Sequence, residues 1–236
     1  FVLLWLKGTG LDLLLTVGVG WLIWRMVTAR RLLTCLAGWL VVCGLTVGYV
    51  AVAPLVIDPW FQKTTRLADR DLEARLLAIA ARGGVPATEV WVAEASRRTR
   101  SANASFNGFA GTRRIVVYDT LLENFSEPEV AAVVAHEAGH WRRHHIAWGV
   151  GWGLLAAGVG MALAWVLVRR WERQSGRQAR RTPSLVIPGY ALYVLVLTAS
   201  MPVANGISRH LEQSADRDAL VLSQDRDAVV AALVRL

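Results

Sequence analysis

The chain has 236 residues, of which 54% are hydrophobic, with a formal net charge of +8 and a mean hydropathy of +0.38. So apolar a composition excludes an ordinary soluble domain, and membrane spans have to be sought before any globular core. The basic residues gather at the ends of apolar runs, which fits anionic lipid headgroups and argues against nucleic acid as a partner.

Four runs approach or exceed the length needed to cross a hydrocarbon core of about 30 Å. They are 11–27, 33–56, 146–168 and 185–205, and they predict an integral, multi-pass membrane protein. Cys35 and Cys43 lie eight residues apart in the second run. A helix sets them about 12 Å apart, beyond the roughly 7 Å reach of a disulfide, so both are expected to be buried thiols. Gly44 and Gly48, and Gly149 and Gly153, have the small-xxx-small spacing of close helix packing, although glycine is also simply common in membrane helices. Trp21, Trp24, Trp60, Trp148, Trp165 and Trp171 fall near span ends, where interfacial anchors sit.

A polar segment, 58–145, lies between the first pair of spans (1–57) and the second (146–205). Its stretch 68–84 has helical periodicity, stopped by Gly83 and Gly84, and 88–95, 101–109 and 113–119 read as short strands. Ser126 with Glu129 three residues on makes a capping box. The helix it opens is expected to run through the histidine cluster into the third span. The prediction is a small α+β domain inserted into a multi-pass α-helical membrane protein, with a final helix in 206–236.

Four of the five histidines fall in HEAGHWRRHH (136–145). On a helix His136 and His140 project from one face, one turn apart, so both can reach a single Zn²⁺ at about 2.0–2.1 Å. Glu137 can stand beside the metal without ligating it, take a proton from the attacking water and deliver it to the leaving amine. His144 continues the line, but eight residues of helix climb about 12 Å, and His145 lies further off and rotated away. With Arg142 and Arg143 these two read as a juxtamembrane basic patch. The third ligand is therefore sought in PVANGISRHLEQSADRDAL (202–220). Glu212 can complete a His₂Glu site there, and Asp216, one turn on, can accept a hydrogen bond from a ligand histidine. Small Ala215 and Ala219 permit close packing, and His210 reads as a polar surface residue.

HEAGHWRRHH followed by SRHLEQSAD resembles the integral-membrane zinc metalloproteases that include CAAX prenyl protease 1 and the bacterial heat-shock membrane protease. The match runs through His136, Glu137, His140, Ser208, Arg209, Glu212, Ala215 and Asp216. The segments 103–122 and 53–67, Trp141 and His145 at the trailing histidine place it nearer the prenyl-protease branch. The resemblance implies a gluzincin fold holding one zinc and hydrolysing peptide or protein substrates that are membrane-associated, lipidated or misfolded. It also places Asn103 on or near an edge strand that bonds the substrate backbone, with Ser105 where the family commonly has an aromatic. A bacterial cell membrane is the expected location, and the chain is expected to be a piece of a longer protein. The rivals are a membrane receptor or signal transducer using an HExxH domain as its switch, which would need a sensor domain, and a pseudo-protease, which would have lost a ligand or the Glu.

Overall fold

The computed structural model describes residues 2–27, 31–53, 63–97, 99–107, 113–175 and 186–235. In chain order they form α1 (Val2–Val27), α2 (Leu32–Val52), β1 (Thr64–Arg66), α3 (Arg70–Arg82), β2 (Glu89–Ala93), β3 (Ala104–Asn107), β4 (Arg114–Tyr118) and α4 (Asp119–Asn124). Then follow α5 (Glu127–Arg142), α6 (His145–Ser175), α7 (Val186–Ser223) and α8 (Arg226–Arg235). Two compact units result, one of Phe1–Tyr49 with Gly149–Asn205, the other of Val50–Trp148 with Gly206–Leu236.

The first unit is helical. Among the described residues two stretches, Leu32–Val52 and His145–Leu167, are long and apolar enough to cross a membrane, and Gly8–Leu22 is a shorter apolar helix. Leu33, Leu40, Val159 and Leu163 stand exposed on these helices, where a soluble core helix would bury them. The first residue of the fourth expected run, the arginine-rich stretch before it and Trp60 lie outside the described residues. Among the described residues the spaced glycines make no close approach: an added Cβ at Gly44, Gly48, Gly149 or Gly153 would meet none of them within 4 Å. Gly158 does this work instead, because a Cβ there would lie 2.9 Å from the Trp39 indole, whose Nε1 donates to the Leu154 carbonyl at 3.4 Å. Both cysteines are free, Cys35 buried and Cys43 partly so.

The second unit is built on a four-stranded sheet in the order β1-β2-β4-β3. β2 and β4 are parallel, and β1 and β3 run antiparallel to their neighbours. β1 was not expected, because Thr-Thr-Arg is too short to show an alternating pattern. Asp69 opens α3 by accepting from the Asp71 and Leu72 N–H groups at 3.0 Å each. α3 then buries Leu72, Leu76 and Ile79 in one core with Val90, Ile115, Val117, Leu121, Val130 and Val134.

Helix α5 is central to this unit, packed against α3, β3 and α8. Every residue from Glu129 to Ala135 is buried, which suits a helix apolar all round. Its capping box forms, with the Ser126 N–H donating to the Glu129 carboxylate at 2.7 Å and the Ser126 hydroxyl at 2.8 Å. Arg235 of α8 donates to the same carboxylate at 2.8 and 3.0 Å. These bonds, the Ser126 N–H first, bring the Glu129 pKa down to about 2.

Helix α5 does not continue into the third span as the sequence led us to expect. It ends at Arg142, His144 takes φ +55°, and α6 starts afresh at His145. The break is pinned by a two-pronged ion pair, Arg143 Nε to Asp218 Oδ2 at 2.6 Å and Nη2 to Oδ1 at 3.1 Å. A second break, at Gln224 with φ +59°, separates α7 from α8, and Asp225 caps α8 by accepting from the Ala228 N–H at 3.0 Å. Residues 205 and 206, where a boundary was expected, lie inside the continuous helix α7.

Candidate metal centre

Gly139 lets α5 and α7 touch. A Cβ there would lie 3.0 Å from the Ala215 carbonyl oxygen and 3.0 Å from the Asp218 Cβ, and Ala215 and Ala219 are fully buried. With the backbones this close, α5 brings His136 and His140 to the face of α7 that carries Glu212. The two Nε2 atoms stand 3.0 Å apart, and Glu212 Oε2 lies 3.3 Å from the first and 3.4 Å from the second. Zinc bonds of about 2.0–2.1 Å in tetrahedral directions set donors about 3.3 Å apart. The triangle has the size of one face of that tetrahedron.

The other nitrogen of each ring also has a close neighbour. Asp216 places Oδ1 3.0 Å from Nδ1 of His136, although the pair does not have hydrogen-bond geometry and both atoms are buried without a hydrogen-bond partner among the described residues. Nδ1 of His140 lies 2.9 Å from Nδ1 of His145. Nε2 of His136, Nε2 of His140 and the Glu212 carboxylate oxygen converge on one point, an electron-rich set that a cation would hold together. The residues present therefore fit a zinc held by His136, His140 and Glu212.

Burial, and then the negative charge of Glu212, push Glu137 up to about 7. Burial, and then His136, push the His140 imidazole below its ordinary value, which favours the neutral form a metal requires.

The remaining candidates fall as follows. Asn103 is exposed and stands immediately before β3, an edge strand of the sheet, with its carbonyl accepting the Tyr118 N–H at 3.0 Å. His210 is exposed, as expected of a surface residue, and His144 is exposed at the helix break. His145 is the correction. Assigned to a basic patch on continuous-helix geometry, it is 7% exposed and folded back onto His140 by the break at His144. Neither glycine nor asparagine marks positions 143–144, so no local signal announced that turn.

Comparison with known proteins supplies the family. The family model for peptidase family M48 matches residues 66–236. An uncharacterised metalloprotease of Bacillus subtilis, YhfN, is 28% identical over 199 residues, covering 83% of this chain and 47% of its own. CAAX prenyl protease 1 of Saccharomyces cerevisiae is 40% identical over 98 residues, covering 41% of this chain and 22% of its own. The crystal structure of S. mikatae Ste24p superposes with a TM-score of 0.77 at 25% identity, covering all of this chain and 60% of that one. The chain thus spans about half, or less, of the length of these curated relatives. With the family model matched from β1 through the glutamate-bearing helix to the chain's last residue, and with relatives of the same kind on either side, the chain belongs to peptidase family M48.

Proposed function

We propose that the chain is the zinc-bearing part of a membrane-embedded endopeptidase that hydrolyses peptide bonds in membrane-associated, lipidated or misfolded substrates. The observation that carries this reading is the convergence of His136, His140 and Glu212 donors at 3.0–3.4 Å, with Glu137 on the same helix. His136, His140 and Glu212 hold the zinc, which when bound supplies Lewis acidity toward the scissile carbonyl and the attacking water. Asp216, with Oδ1 3.0 Å from His136 Nδ1, stands within reach to orient that ring when the metal is bound. Glu137 takes the proton from water on attack and delivers it to the leaving amine nitrogen.

The substrate is read as an added strand on β3. All of β3 is in register with β4; from the bond between the Tyr118 N–H and the Asn103 carbonyl, antiparallel alternation puts the ladder bonds at Ser105 and Asn107 and turns the main-chain groups of Ala104 and Phe106 to the free edge. Asn103 then reaches the substrate through its side chain rather than its carbonyl.

Cleavage of an unstructured peptide by the detergent-solubilised protein, beside a Glu137→Gln variant that binds the same zinc, tests this. The expected loss is about 10²- to 10⁴-fold, and equal turnover in both would sink the assignment of Glu137.

A further inference from the structure

His140 is held by a directed chain of hydrogen bonds that begins on the helix bearing Glu212. The Ser214 hydroxyl donates to the Leu211 carbonyl at 2.8 Å, which uses its one proton. Toward His145 Nε2, 3.2 Å away, Ser214 Oγ is therefore the acceptor, and Nε2 of His145 carries the hydrogen. A neutral His145 then presents a lone pair at Nδ1. The contact of 2.9 Å to Nδ1 of His140 requires the proton on His140, which leaves the His140 Nε2 lone pair facing His136 and Glu212. His145 and Ser214 are both buried, so water does not compete for these bonds.

We propose that His145 is a positioning residue for the metal centre, accepting the Nδ1 proton of His140 and, through Ser214, fixing His140 in the tautomer that offers Nε2 to zinc. The inference rests on the zinc reading above and deepens it. The two ligand histidines then have different neighbours, the carboxylate of Asp216 beside His136 and a neutral imidazole bonded to His140. An imidazole acceptor orients the ring without adding another negative charge near Glu137 and Glu212. The break at His144 is what makes this possible, because a continuous helix would carry residue 145 away from residue 140.

Zinc affinity, measured by competition with a chromophoric chelator on the detergent-solubilised protein, tests the proposal. His145→Phe keeps ring volume and removes the acceptor, and is expected to weaken zinc binding about 10- to 100-fold. His145→Asn puts a carbonyl oxygen near the position of Nδ1 and is expected to recover most of that loss, which a purely packing role would not allow. Equal affinities for parent and His145→Phe, or Asn no better than Phe, would overturn the proposal while leaving the zinc reading intact. A parent that binds no zinc would overturn both. The parent alone gives a readout independent of any variant's folding, in the ring ¹⁵N shifts of the zinc-loaded protein. The expected pattern is a neutral His145 protonated at Nε2 and a His140 protonated at Nδ1, and the opposite tautomer at either ring would overturn the assignment.

Discussion

Glu137 occupies unfavourable surroundings for a carboxylate, half-buried and facing the negative charge of Glu212, and its pKa rises to about 7. A carboxyl raised in the folded state costs nothing below its unfolded value near 4.5, and its penalty grows as pH rises through about 7. In the zinc-free protein Glu137→Gln should therefore melt higher than the parent above pH 7 and equally below pH 4.5. The difference is at most about 3 kcal/mol, one pH unit being worth about 1.4 kcal/mol. A bound cation nearby favours the charged form and should shrink the gap. Thermal melts across pH with chelator and with zinc check the sign. At Asp216, replacement by Asn is expected to weaken zinc about 10- to 100-fold by chelator competition, because it removes the carboxylate charge that stands 3.0 Å from His136 Nδ1. His136 with His140, and Glu212 with Asp216, could be read as candidates from sequence because i, i+4 spacing puts each pair on one helix face, and Glu137 from its place between the two histidines. His145 could not, since its place depends on a turn with no residue signature.

At the scale of elements, the seam between α5 and α7 sets the donor triangle. Gly139→Val would drive a branched side chain against the Ala215 backbone, which begins 3.0 Å from where a Cβ would sit. The expected cost is about 1–3 kcal/mol, together with weaker zinc binding as Glu212 moves away from the histidines. A variant that melts and binds zinc like the parent would show that the helices do not approach as described. The far end of α5 makes a separate prediction. Glu129, held near pKa 2 by Ser126 and Arg235, contributes stability that is present above about 4.5 and lost as pH falls through about 2. The melting-temperature gap between parent and Glu129→Gln should therefore close as pH falls across that window. The capping box was visible in sequence because it is local. The Arg235 partner was not, being 106 residues away on another helix.

For the whole molecule, a zinc held as proposed would join α5 to α7, two helices distant in the chain, and would do so only in the folded state. Zinc at about 100 times its dissociation constant should stabilise the protein by about 2.7 kcal/mol, raising the melting temperature reversibly with chelator. A melting temperature indifferent to zinc would count against the centre. Composition by itself determined that the chain carries membrane-length apolar helices beside a polar α+β segment, because hydropathy and period are properties of consecutive residues. Spacing determined which residues could be ligands. Tertiary structure decided which glycine accepts a neighbour, Gly158 and not the spaced pairs, since that depends on where Trp39 arrives. It alone ended α5 at Arg142, through the Arg143–Asp218 pair and the left-handed His144, and so turned His145 from a surface cation into a buried neighbour of His140. The physical reason is the same each time. Local pattern sets the faces of a helix, whereas the place it stops and what stands opposite are set by contacts between residues far apart in sequence.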